Sequence, residues 1–71
     1  SKINESWKQL IGIELSKECK PLKFENGIFT IAVNNPQWRQ ALIYNKHRLK
    51  ERIKKIGIPL NEIKIIQNYE I

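Results

Sequence analysis

The residues best placed to do chemistry in this chain are cations. Lys46, Lys50 and Lys54 follow at i, i+4 and i+8, a spacing that stacks their ammonium groups along one side of a helix, roughly 6 Å apart per turn. Drawn at 100° per residue, Arg39 falls within about 80° of that row, with His47 on its flank. Arg48, Arg52 and Lys55 border the apolar stripe of the same helix from the other side, and between Arg39 and Lys55 the only acid is Glu51. Like charges at i,i+4 cost about 0.2–0.5 kcal/mol per pair. An anionic partner turns that cost into affinity by releasing counterions. The role expected of Arg39, Lys46, Arg48, Lys50, Arg52 and Lys54 is therefore phosphate contact. The same run also reads as a plain solvated lysine face, and charge alone does not separate DNA, RNA and an acidic protein surface.

Other chemistries find little support. His47 and Cys19 are the only soft metal ligands and lie on different elements, so no zinc spacing exists. Nucleophilic catalysis needs a nucleophile, a base and an orienting group. His47 has no acid three or four residues before it, and Glu51 at i+4 reads as a surface ion-pair partner. The glycines form no phosphate-cradling loop. No enzyme, no cofactor, no metal and no small-molecule ligand is expected. The aromatic residues Trp7, Trp38, Phe24 and Phe29 map to the core side, whereas Tyr44 and Tyr69 are freer to meet a partner. This describes an electrostatic backbone binder with little base readout.

The elements that must position these cations follow from periodicity and punctuation. Ile3, Trp7, Leu10, Ile11 and Leu15 recur at helical spacing over 3–19, with Asn4 as the cap and Pro21 as the stop. Gly12 inside this helix suggests close approach of another element. Cys19 reads as a small buried hydrophobe at the helix end. Asn26-Gly27 is a strong hairpin signal, because both residues accept the positive φ of a type I′ turn. A two-residue loop pairs Glu25 with Ile28, Phe24 with Phe29, Lys23 with Thr30 and Leu22 with Ile31. Phe24, Phe29, Leu22, Ile31 and Val33 then share the dry face, and Lys23, Glu25 and Thr30 the wet one. Asn35 and Pro36 open a second helix running to about Ile56, with Gly57 at C′ and Pro59 beyond. Its core stripe is Trp38, Leu42, Asn45, Leu49, Ile53 and Ile56, with Ala41 beside it. Ile63 and Ile65 alternate with Lys64 in a third strand over 60–67. The predicted fold is α+β, in the order α-β-β-α-β, with a three-stranded sheet carrying both helices on one face.

Length and charge bound what such a unit does. Seventy-one residues make one domain, 1–71, too small for a deep active-site cavity. No apolar run approaches the ~18–20 residues of a membrane span, and no membrane partner is expected. Thirteen Lys and Arg against seven acids leave a net charge of +6, which implies an anionic partner. The lone Cys19 suits a reducing compartment. The chain begins at Ser1 without Met, and is expected to be a piece of a longer protein.

Trp7, Gly12, Pro21, Asn26-Gly27 followed by Phe29, Ile31 and Val33 in alternation, then Pro36, Trp38, Leu42 and Leu49, resemble in their order the DciA family of bacterial replicative-helicase loaders. The family pattern is a helix with W-x4-G, a proline-led hairpin, and W-x3-L on a long helix. The resemblance covers nearly the whole chain, and it is the ordered set with both tryptophans that is specific. It implies a K-homology-like (KH-like) domain of the type II order. It also implies a cytoplasmic role at the nucleoid in replication initiation. Such a protein binds DNA, single-stranded or tailed, and the hexameric replicative helicase, helping to load that ring onto single strands without ATPase activity. The chain departs from a K-homology domain in lacking a Gly-x-x-Gly loop, so clamping of four nucleotides is not expected. The resemblance also implies an extension outside the folded domain, often concerned with helicase contact, which is expected to lie beyond these 71 residues. Two other readings stay open: an RNA-binding module using the same basic face, and a protein–protein module whose basic helix meets an acidic partner.

Overall fold

Local punctuation sets the elements, and the computed structural model describes residues 5–67. Two short helices, α1 (Trp7–Ile11) and α2 (Ile13–Glu18), lead into strands β1 (Cys19–Glu25) and β2 (Ile28–Val33). Helices α3 (Pro36–Tyr44) and α4 (Lys46–Lys55) then cross over to strand β3 (Glu62–Gln67). The sheet order is β1-β2-β3, with β1 antiparallel and β3 parallel to the central β2. A parallel pair needs a long crossover, and α3 and α4 supply it. The fold is the expected α+β, KH-like arrangement, with the first predicted helix broken at Gly12 and the second at Asn45.

The divisions have separate causes. Gly12 holds φ 97° and ψ 153°, a region that is essentially restricted to glycine, so α1 and α2 meet at an angle that no other residue tolerates. The expected close approach is not the reason, since a Cβ at Gly12 would meet nothing within 4 Å. In the second helix, Asn45 Nδ2 donates to the Ala41 carbonyl at 2.8 Å, the same oxygen that accepts Asn45's backbone N–H. That side-chain competition loosens the helix locally. The start of the second helix is as predicted, with Asn35 accepting from the Gln37 N–H at 2.8 Å and Pro36 at the first helical position, whereas the first helix ends at Glu18 and Pro21, its predicted stop, lies within β1. The predicted Asn4 cap, Ile3 and Tyr69 lie outside the described residues.

The hairpin follows the expected register over Glu25–Ile28, Phe24–Phe29 and Lys23–Thr30, and then slips. A bulge at Leu22 pairs Pro21, not Leu22, with Ile31. Proline lacks the N–H that a regular ladder requires, and bulges on edge strands accommodate it. Leu22 is therefore 47% exposed, against the prediction that it is core. Phe24 also departs from the prediction: it lies on the edge strand near the hairpin tip and is 37% exposed, although its partner Phe29 is buried. The tip has a second task. Asn26 and Gly27 both have positive φ, and the Gly27 carbonyl accepts the N–H groups of Asn61 and Glu62 at 2.8 and 3.1 Å. A Cβ at Gly27 would lie 2.5 Å from Asn61 Nδ2, the end of an exposed side chain that can turn aside, so it is the positive φ of 78° that calls for glycine here.

One core unites the elements: Trp7, Leu10, Cys19, Phe29, Ile31, Val33, Leu42, Leu49, Ile53, Leu60 and Ile63. The alternate residues Phe29, Ile31 and Val33 supply the helix-facing side of β2. Trp7 is an anchor, meeting Phe29 edge-on at 5.7 Å and donating its indole N–H to the Cys19 carbonyl at 3.0 Å. Trp38 is only partly buried, packed against the core rather than within it. Burial, reinforced by the charge of Glu18, pushes the Cys19 thiol up to about 11. It stays protonated at neutral pH and behaves as a small hydrophobe.

Candidate nucleic-acid interface

Helix α4 turns Leu49 and Ile53 into the core, which leaves its cations on the remaining circumference. The structure distributes the six predicted residues unequally. Arg39 sits on α3, partly buried, on the other side of the Asn45 interruption from Lys46, Lys50 and Lys54. Lys46 and Lys50 lie partly buried beside β3, with Nζ atoms 3.5 and 3.8 Å from Glu62 Oε1. Arg52 donates from Nη1 to the Leu10 carbonyl at 2.9 Å, tying α4 to α1 across 42 residues of sequence. Arg48 and Arg52 together rim a cleft of about 140 Å³ floored by Leu10, Leu15, Leu42 and Leu49. Lys54 and Lys55 are exposed and make no ion pair among the described residues.

Glu62 is the acid that helical projection could not place. It is distant in sequence, and docking of β3 beside α4 brings it to the lysine row. The same Oε1 accepts the Ile63 N–H at 2.8 Å. That hydrogen bond, and then the charge of Lys46, hold the Glu62 carboxyl below its usual range. Glu62 thus supplies Lys46 and Lys50 with an anionic partner from within the fold. Glu51, expected as a surface ion-pair partner, makes no salt bridge among the described residues.

Sequence reasoning also passed over the sheet. Lys20, Lys23 and Lys64 are exposed on the side away from the helices. The alternation of Lys64 with Ile63 and Ile65 was a usable signal, but only the pairing of three strands gathers these lysines. Among the described residues no group of three or more His, Cys, Asp or Glu could hold a metal ion, and no helix is long and apolar enough to cross a membrane.

Compared with known proteins, residues 1–65 match the family described as Dna[CI] antecedent, DciA. No curated protein matches the chain.

Proposed function

The chain belongs to the DciA family, associated with helicase loading, and from that premise we propose that it is a DNA-binding adaptor for the bacterial replicative helicase, helping to place the helicase on single strands at replication initiation. The observation that carries this reading is the family match across residues 1–65. The net charge of +6 and the cationic α4 support the DNA half of it.

On this reading, Arg48 and Lys54 meet phosphate directly, with Arg39 and Arg52 at the margins of the face. Lys46 and Lys50 join by exchanging Glu62 for a phosphate oxygen. The exchange is cheap, because the Glu62 carboxylate is exposed and solvent screens its ion pairs. Lysine ammonium groups contact phosphate as point charges without reading bases, which suits a protein that must act on many sequences.

The test is binding of the chain to fluorescent single-stranded DNA, duplex DNA and RNA across a salt series, with purified replicative helicase as a fourth ligand. The expected result is DNA affinity that falls steeply with salt, together with helicase binding. Neutralising Lys46, Lys50 and Lys54 to Gln should flatten the salt slope for single strands by about 2, at roughly 0.7 per phosphate contact. RNA preference without helicase binding would replace the loader reading with an RNA module. Helicase binding without DNA binding would leave a pure protein adaptor.

A further inference from the structure

The side of the sheet turned away from the helices carries its own cationic group. Strand register sets Lys20 beside Ala32 and Ile66 in one cross-strand row, and Lys23 beside Thr30 and Lys64 in the next. The three lysines are exposed, whereas Thr30 and Ala32 between them are buried. Lysines thus border a shallow trough over Thr30 and Ala32, and about 140 Å³ of space beside Lys23, Thr30 and Lys64 runs on toward the hairpin, where Glu25, Asn26 and Ile28 line it. Lys20 and Lys64 make no ion pair among the described residues. Lys23 lies 3.4 Å from Glu25, but both side chains are more than half exposed, at 63% and 67%, so solvent screens the pair.

We propose that this trough is a binding site for the phosphodiester backbone of single-stranded nucleic acid, on a different surface from α4. It rests on the DNA-binding reading above for the class of ligand, and departs from it in location. Lys23 and Lys64 stand on opposite sides of β2, about 10 Å apart at two strand spacings, so both ammonium groups reach a single backbone lying between them. The Thr30 hydroxyl is a type of group that contacts phosphate oxygens. A protein partner fits less well, since interface cores are depleted of lysine and rely on large aromatic or Arg anchors, whereas the large side chains bordering Thr30 and Ala32 are the aliphatic Ile28 and Ile66, with no aromatic or Arg among them. The site has a defined end. The next row toward the hairpin is Glu25, Ile28 and Glu62; the Glu25 carboxylate lines that end of the space and disfavours phosphate there, which points the strand toward the Lys20 side, while the Glu62 carboxylate is turned to Lys46 and Lys50.

The deciding experiment compares two variants of the chain with equal net charge: Lys20→Gln/Lys64→Gln on the sheet, and Lys8→Gln/Lys17→Gln on the exposed sides of α1 and α2. Single-stranded oligothymidine is the probe, in a salt series. The sheet pair should lose roughly 10- to 30-fold in affinity near 0.1 M salt and about 1.4 from the salt slope, at roughly 0.7 per phosphate contact, while the α1–α2 pair stays close to wild type. Amide shifts of the wild-type chain on titration supply a readout without substitution, and should move at Lys20, Thr30, Ala32 and Lys64. If both variants bind alike and the shifts are confined to 46–55, the trough proposal is overturned while the DNA-binding reading stands. If the wild-type chain binds no single strand at low salt, both are overturned.

Discussion

Helix α4 and the outer side of the sheet are both positively charged, yet they hold their charges differently. On α4 the lysines nearest the sheet are engaged by Glu62, and Arg52 is committed to the Leu10 carbonyl. On the sheet, Lys20 and Lys64 make no ion pair among the described residues, and Lys23 has only a solvent-screened partner. A cation's availability therefore depends on what the fold brings beside it, more than on how many like it are nearby in sequence. The α4 cations also sit on the back of a core element, while the sheet lysines can change without disturbing packing.

The largest expected effect tests that last point. Leu49→Ala removes a buried side chain from the underside of α4 and should cost about 2–5 kcal/mol in urea unfolding, most of the stability of a domain this small. Lys64→Gln should stay within about 0.5 kcal/mol of wild type. Equal midpoints for the two would mean that α4 is not anchored in the core, and the contrast between the surfaces would collapse.

Arg52→Ala sharpens the comparison on a smaller scale. Loss of the guanidinium bond to the Leu10 carbonyl should lower stability by about 1 kcal/mol, visible in the melting temperature. If stability holds and DNA affinity falls instead, Arg52 is a phosphate contact rather than a clamp between helices.

The smallest effect concerns Glu62. Glu62→Gln releases Lys46 and Lys50, and should raise affinity for single strands a few-fold at neutral pH relative to Glu51→Gln, which removes the same charge elsewhere. The pH dependence has a definite sign. A carboxyl held below its ordinary range keeps its ion pairs above that range and loses them as pH falls through its folded pKa. The affinity gap between wild type and Glu62→Gln should therefore close on acidification. A gap that is absent at neutral pH would show that Glu62 does not compete with the ligand for Lys46 and Lys50.

Much of the fold was legible because its signals act over short range. The Asn35 cap with Pro36, the Asn26-Gly27 turn and the three hairpin pairs nearest it are each decided within a few residues. The errors lie where a local rule met a tertiary demand. Leu22 alternates correctly for the core, but the Pro21 bulge displaces it. Gly12 was read as a contact and is a corner. For the site, the α4 cations were legible and their engagement was not. Glu62 and the Leu10 carbonyl lie far along the chain, and no periodicity connects them to Lys46 or Arg52.

The sequence by itself determined the surplus of positive charge, the turn of the hairpin, the capped start of α3 and the apolar residues that bury these elements. These follow from summed composition and from steric and hydrogen-bonding rules that operate within a turn or two. Only the tertiary structure decided which cations are paired and which are available, because Coulomb attraction falls with distance and those distances are set by packing. Docking β3 parallel to β2 brought Glu62 to Lys46 and Lys50, and the same pairing placed Lys64 across from Lys23.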